Sequence, residues 1–481
     1  MGVVPDPTPQ ELVKVAEDID PNVVDWDGPD DPANPLNWSR SLRIGHVVLV
    51  SILTLISNIS ATMFAPGSSL LVTEFGITSS VVGSLTVTIY LLGFAFGPLF
   101  LAPLSELYGR LPIYYGSTLG YIAFTLGCAL SRNTGMFLVF RFISGCAGSS
   151  ALTIGGGTIA DVMPQEKRGQ AMSMFAIGPL LGPVIGPIIG GFVSQNIGWR
   201  WVFWLLTISM GLVAIPMVII MRETFGHVLL ARKAAQLRKE TGNEKLRSKF
   251  DSGLSVSGTF KRSIIRPLRM LFLSPIVSLI SLYMSFAFGL MFLLFTTFPA
   301  VFGEAYHFST GVSGLSYLGL GLGLGFGLFL FSSTSDRLLK RLAKGGELKP
   351  EYRLPLMVYL SPAMPIGFFW YGWSAHAQVH WIVPIIGTSV IGIGSLAIFM
   401  PAQLYLIDAF GPYAASSLAA SIVVRCVFGA FLPLAGPSLY QRLGLGWGNS
   451  VLAFIGLALM PVPVLFFRYG ETIRKRWEIK M

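Results

Sequence analysis

The sequence predicts an all-α membrane protein, with twelve transmembrane helices in two pseudo-symmetric six-helix bundles, and three observations carry that expectation. First, the 481 residues are 53% hydrophobic and only 12% charged, against about 25% charged for soluble domains, so charge is too scarce to cover a soluble surface. Second, twelve apolar segments have roughly the 20-residue length that crosses a bilayer. Third, GPLLGPVIGPIIGG, Gly178 to Gly191, places a Gly-Pro pair at every fourth position for three repeats. In water these pairs would break a helix, because proline lacks a donor and clashes with the carbonyl four residues earlier, and glycine adds an entropic cost. In lipid the segment stays helical where neighbouring protein satisfies the freed carbonyls, and Gly178, Gly182, Gly186 and Gly190 line one face as a smooth stripe, expected to pack at the interface of the two halves.

The twelve spans fall near residues 45–66, 81–104, 112–130, 136–160, 170–193, 200–221, 275–298, 312–333, 354–374, 381–403, 415–437 and 448–468. If both termini share one side, all but five of the 34 Lys and Arg lie on that side. Arg132, Arg200 and Arg442 fall opposite, and Arg141 and Arg425 lie within spans. The positive-inside rule makes that side cytoplasmic. The net charge of +10 then reflects topology, and no nucleic-acid partner is expected. No cleavable leader is read, since the first apolar segment begins near residue 45 and is long enough to span. Cys128, Cys146 and Cys426 all fall in spans and read as packing residues.

Five regions follow. Residues 1–44 form an acidic tail, with nine carboxylates up to Asp31 against Lys14, and are expected to be disordered on the cytoplasmic side. Residues 45–221 make the first bundle, 222–274 a cytoplasmic linker, 275–468 the second bundle, and 469–481 a basic tail. Within the linker, Leu229, Leu230, Ala234 and Leu237 alternate with Arg232, Lys233, Arg238 and Lys239. A basic amphipathic helix on the leaflet and a solvated linker helix both fit this pattern.

The halves echo one another. Ser105-Glu106, with Gly109-Arg110, follows span two, and Ser335-Asp336-Arg337 follows span eight; Asp161 ends span four, and Asp408 ends span ten. Matching charges at matching places indicate two repeats, which in transporters place a site between them and work by alternating access.

On these residues the chain resembles the major facilitator superfamily, and more narrowly its twelve-span fungal drug:proton antiporter branch. The loop APLSELYGR, residues 102–110, is similar to the signature between spans two and three, although Leu111 stands where a second basic residue is common. The antiporter motif of span five is matched by Gly178, Pro179, Gly182, Pro183, Gly186, Pro187, Gly190 and Gly191. DPANPLNWS, RFISGCAGSSALTIGGGTIAD, ETFGHVLLARKAAQLRKETGN and YLIDAFGPYAASSLAA point to the fungal branch. The resemblance covers nearly the whole chain after residue 30. It implies export of drugs, polyamines or secondary metabolites in exchange for protons, and a coupling influence for an arginine at the start of span four, here Arg141.

A cytoplasmic gate is expected from Glu106, Gly109, Arg110, Asp161 and Arg168, with Glu106 and Arg110 pairing with Asp161 or Arg168, and Asp336 with Arg337 as the second copy. A static surface ion pair is the plainer alternative, contributing about 0–1 kcal/mol. A charge inside the bilayer costs about 2.5–3.5 kcal/mol on insertion scales, so Arg141 and Arg425 should face a cavity or a partner; for the shallower Arg141, snorkelling is the alternative. Either arginine could hold an anionic substrate group or depress the pKa of a nearby acid. Asn58, Tyr90, Tyr283 and Gln403, with Phe288 and Phe292, are further cavity candidates, though each alone also reads as helix packing. No Asp, Glu or His lies mid-span, so proton coupling rests on the resemblance and polyamine cations lack an obvious counter-ion. The glycines at 155–157, 319, 321, 323, 325 and 327 lie in apolar spans and read as helix packing, not as a phosphate loop.

The function expected is secondary active efflux of a small drug-like or secondary-metabolite molecule, by a monomer in the plasma membrane or, failing that, the vacuolar membrane. Protons and the lipid bilayer are the other partners, and no cofactor or metal is expected. A nutrient or vitamin importer and a polyamine exporter are the alternatives on the same fold. A receptor would need a larger cytoplasmic domain, and a membrane enzyme would need a catalytic constellation that the sequence does not offer.

Overall fold

The computed structural model describes residues 22–250, 256–343 and 349–477. The first half contains α1 (Arg40–Met63), α2 (Ser80–Tyr108), α3 (Arg110–Ala129), α4 (Thr134–Val162), α5 (Gln165–Ile197) and α6 (Arg200–Ile220). Two linker helices follow, α7 (Gly226–Thr241) and α8 (Val256–Leu273). The second half contains α9 (Pro275–Tyr306), α10 (Tyr317–Ala343), α11 (Ala363–His376), α12 (Ile382–Phe410), α13 (Ala414–Phe431), α14 (Gly436–Leu459) and α15 (Pro461–Arg476). Among the described residues, ten stretches are long and apolar enough to cross a membrane. The stretch Ser416–Arg476 contains the last two spans, separated where Gly444 leaves helical geometry at φ 69°, and the less apolar α3 completes the twelve. Residues such as Leu119, Ile219 and Leu322 project outward, as a lipid-facing surface requires.

The proline-bearing α5 is continuous through Pro179, Pro183 and Pro187. Pro187 leaves the carbonyl of residue 183 without its helical donor, and the Thr62 hydroxyl of α1 donates to that oxygen at 3.3 Å. The glycine stripe lets α1 come this close. A Cβ on Gly178 would lie 2.9 Å from the Leu55 amide nitrogen, one on Gly182 would lie 2.6 Å from the Asn58 Cβ, and one on Gly186 would lie 2.7 Å from the Thr62 hydroxyl. Gly190 approaches the Met63 carbonyl more closely still.

The expectation that this stripe forms the interface between the halves needs correcting, because it packs inside its own half. The neighbouring face of α5 meets the second half. Gly191 faces the Thr310 carbonyl, Gly314 faces the Pro187 carbonyl, Gly321 faces Val184, and the Gly311 amide donates to Gln195 Oε1 at 2.7 Å. The glycines of α10 do the same work within the second half: Gly319, Gly323 and Gly327 face α12 at Ile385, Ser389 and Ile393.

The acidic tail also departs from expectation. Residues 1–21 lie outside the described residues, but 22–39 are folded. Val23–Val24 form a short strand, β1, pairing in parallel with β2 (Arg247–Ser248) of the linker. Lys233 of α7 donates to Asp27 at 2.6 Å and lies 3.8 Å from Asp31, and Lys249 meets Asp25 at 2.6 Å. Lys249 holds the Asp25 carboxyl below its ordinary range, and the Asp27 and Ala33 amides do so for Asp31. Complementary charge orders the segment, and Leu230 and Ala234 of α7 are buried in protein. The Leu230 and Ala234 face of this helix is thus docked on protein.

His227 completes the dock, stacked between Phe225 and Phe250 at 4.8 and 4.4 Å. Burial lowers its pKa below the usual 6.5; nearby Glu106 opposes this shift and Arg110 adds to it. The folded state therefore favours the neutral ring over the charged one. Its stabilising contribution is complete above the unfolded value and declines as pH falls from 6.5 towards the lower folded value. Hydrogen exchange across residues 226–250 should accelerate on acidification through that window, and His227→Phe should remove the acceleration. Gly182→Leu should cost about 1–3 kcal/mol through overpacking, lowering the thermal unfolding midpoint of the purified protein. Gly211→Ala, with no atom within 4 Å of the new Cβ, should leave it unchanged or raise it.

Candidate functional site: matched charge clusters and intramembrane arginines

The loop after α2 closes with Gly109 at φ 101°, a conformation that L side chains rarely adopt. A Cβ there would also collide with the Glu223 carboxylate. That carboxylate sits on the first turn of α3, where helical amides lack internal partners. Its Oε1 accepts from the amides of Arg110 at 2.9 Å, Thr224 at 3.0 Å and Phe225 at 2.9 Å, and its Oε2 accepts from Leu111 at 3.2 Å. Glu223 is 6% exposed, so the end of α6 is fastened to the start of α3 by a buried cap, which the helix dipole favours.

Arg110, placed by this cap, spreads over the ends of three helices. Its Nε lies 3.5 Å from Asp161 Oδ2, one terminal nitrogen donates to Ser105 at 2.8 Å, and its guanidinium lies 4.5 Å over the Phe225 ring. Thr224 donates to the same Asp161 oxygen at 3.3 Å. Arg110 and Asp161 are therefore joined, whereas Arg168 is not part of the pair: it donates to the carbonyls of Ala160 at 3.0 Å and Met163 at 3.5 Å, at the end of α4. Glu106 is exposed on the last turn of α2, beside His227.

The second half repeats the arrangement with a different arginine from the one expected. Arg353, at the entry to the ninth span, places Nε 3.1 Å from Asp408 and a terminal nitrogen 3.4 Å from Ser335. Ser335, Arg353 and Asp408 thus match Ser105, Arg110 and Asp161. Arg337 is exposed and is not the counterpart of Arg110; the Asp336 side chain lies outside the described residues. Glu471, after the twelfth span, pairs with Lys349 at 2.6 Å and Lys475 at 2.7 Å, a looser counterpart of Glu223. Both glutamates follow the last span of a half, in RET and GET. That echo was available in the sequence, but the partners of each acid were not.

Arg141 is fully buried and turned inward, which removes the snorkelling alternative. It donates to the Ser60 carbonyl at 2.6 Å and hydroxyl at 3.2 Å, with its guanidinium 4.4 Å over Tyr90 and 5.3 Å over Phe203. Tyr90 in turn donates to the Ser57 carbonyl at 3.1 Å, and Asn58 donates to the Thr54 carbonyl at 2.8 Å beneath Gly182. These three residues belong to the interior of the first half. Tyr283 is buried on α9, and Gln403 is half-buried on α12. Arg425 of α13 lies 5.0 Å over Phe288 of α9, whose ring is 4.8 Å from Phe292 and 6.1 Å from Phe399 of α12.

Comparison with known proteins agrees with this architecture. The profile of the Major Facilitator Superfamily matches residues 50–433. The chain is 59% identical over 466 residues to the MFS transporter prlG of Fungal sp. (strain NRRL 50135), covering 96% of this chain and 98% of that one. It is 53% identical over 464 residues to the trichosetin biosynthesis cluster MFS transporter of Gibberella fujikuroi, covering 96% and 90%. Its fold is similar to the partially occluded inward-open xylose transporter XylE of E. coli, with a TM-score of 0.64 at 15% identity over 89% of this chain and 98% of that one. The chain is an integral, multi-pass membrane protein and belongs to the Major Facilitator Superfamily.

Proposed function

We propose that this protein is a secondary active exporter, moving amphipathic small molecules out of the cell across the plasma membrane by alternating access and in exchange for protons. The observation that carries the proposal is the position of α5. One face of this proline-stiffened helix is locked to α1, and the next face touches the second half through Pro187, Gly191 and Gln195. A helix so braced can move with its own half as a rigid body while the outer contact opens and closes. The motif's resemblance to exporters and the relationship to the trichosetin-cluster transporter support the outward direction and a secondary-metabolite substrate.

In this reading the clusters around Arg110 and Arg353 hold the cytoplasmic helix ends of each half together, and Glu106 and Arg168 adjust the first cluster as the cytoplasmic side opens. Asp161, half of an ion pair at a helix end, is the group we assign to titration during the cycle.

Cells carrying the protein should accumulate less of the exported members of a labelled toxin and metabolite panel than cells lacking it, and collapsing the proton gradient should abolish the difference. Net uptake, or export indifferent to the gradient, would overturn the proposal. Glu106→Ala should abolish efflux with normal surface delivery; wild-type rates in that variant would remove Glu106 from the gate. Asp161→Asn should flatten the pH dependence of efflux. Glu223→Gln retains one acceptor oxygen of the cap, and hydrogen bonds to charged groups contribute about 1.5–3 kcal/mol. It should lower transport about tenfold or more, measured per molecule of protein at the surface.

A further inference from the structure

Arg425 is eleven residues beyond the first residue of α13, Ala414, which at 1.5 Å per residue is roughly 16 Å along the helix. The hydrocarbon core is about 30 Å thick, so with Ala414 at its edge the Arg425 Cα lies near its middle. Gly429, four positions on, shares its helix face. That glycine touches Phe288 of the second half and Leu91 of the first, so the face carrying Arg425 looks into the junction between the halves and not into lipid. Phe288 lies beneath it, and Phe292 and Phe399 pack against that same ring. Among the described residues Arg425 forms no ion pair with a carboxylate; the adjacent Cys426 sulfur, a weak acceptor, is its side-chain hydrogen-bond partner, and its buried Nε has no acceptor.

The Nε of Arg141 also lacks an acceptor, but its terminal nitrogens donate twice to Ser60 inside one half. A midplane cation without an anion is costly, and the aromatic face of Phe288 compensates only in part. An incoming anion would supply the missing acceptor, and a rigid guanidinium fork fits a planar carboxylate or enolate through two parallel hydrogen bonds. The surrounding phenylalanines would receive the apolar remainder of the same molecule.

We infer that Arg425 selects acidic amphipathic substrates, organic anions with a carboxylate or enolate head and an apolar body, over neutral and cationic analogues. This rests on the transporter reading above and names its substrate class.

The test uses the full chain in lipid nanodiscs and equilibrium binding of tritiated 4-(1-naphthyl)butyrate, with the matching carboxamide and amine as probes of equal size. The carboxylate should bind at least about tenfold more tightly than either analogue, equivalent to about 1.4 kcal/mol. Arg425→Gln should erase that preference by weakening carboxylate binding far more than carboxamide binding, and Arg425→Lys should restore part of it. Carboxylate binding no tighter than carboxamide binding in the wild type, including none at all, would overturn the inference without needing a variant. A preference surviving Arg425→Gln would overturn it as well. Gradient-dependent efflux of neutral compounds would leave the exporter reading standing after such a failure, and loss of efflux for every compound would remove that reading instead.

Discussion

Across the hydrocarbon core no water is available to satisfy a backbone group, and this constraint sets the rules the rest of the structure follows. It keeps α5 helical through three prolines, and it requires a neighbouring donor where a proline removes one, which Thr62 supplies at the Pro183 carbonyl. That hydrogen bond needs α1 to lie almost against the backbone of α5, so small residues repeat on the contact face. The same rule governs side chains. The cation of Arg141 is held by a serine carbonyl and hydroxyl and by two aromatic faces.

At the end of the bundle that carries both charge clusters, where lipid gives way to water, the problem becomes one of helix ends. Glu223 answers it for α3 by capping amides contributed by a distant part of the chain, and this anchors the linker as well. From that anchor, α7 runs back beneath the acidic segment 22–38, whose Asp25, Asp27 and Asp31 meet Lys233 and Lys249. The first half is thus bound at this end by the residues entering it and by those leaving it. At the opposite end Arg200 and Trp199 play a comparable part, both hydrogen-bonded to Glu74.

Two halves with the same charge logic need not use it in the same sequence positions. Arg110 comes four residues after Glu106, in one tight turn, whereas Arg353 comes seventeen after Asp336, across a longer connection. A reading by adjacency therefore selected Arg337 as the counterpart of Arg110, but space selects Arg353. The same distinction separates Arg168, near Asp161 in sequence, from Arg110, near it in the fold.

By itself the sequence determined the membrane class, the twelve spans and the repeat, because hydrophobic length and motif spacing are properties of local chain segments. It also marked Gly178, Gly182, Gly186 and Gly190 as a close-packing stripe, since helical periodicity alone aligns them. Only the tertiary structure decided which helix fills that stripe, which arginine pairs with which aspartate, that Glu223 caps α3, and that the acidic segment 22–38 is folded. Each of these is a contact between segments tens to hundreds of residues apart, and composition carries no information about a partner's identity when several residues of the same chemistry are available.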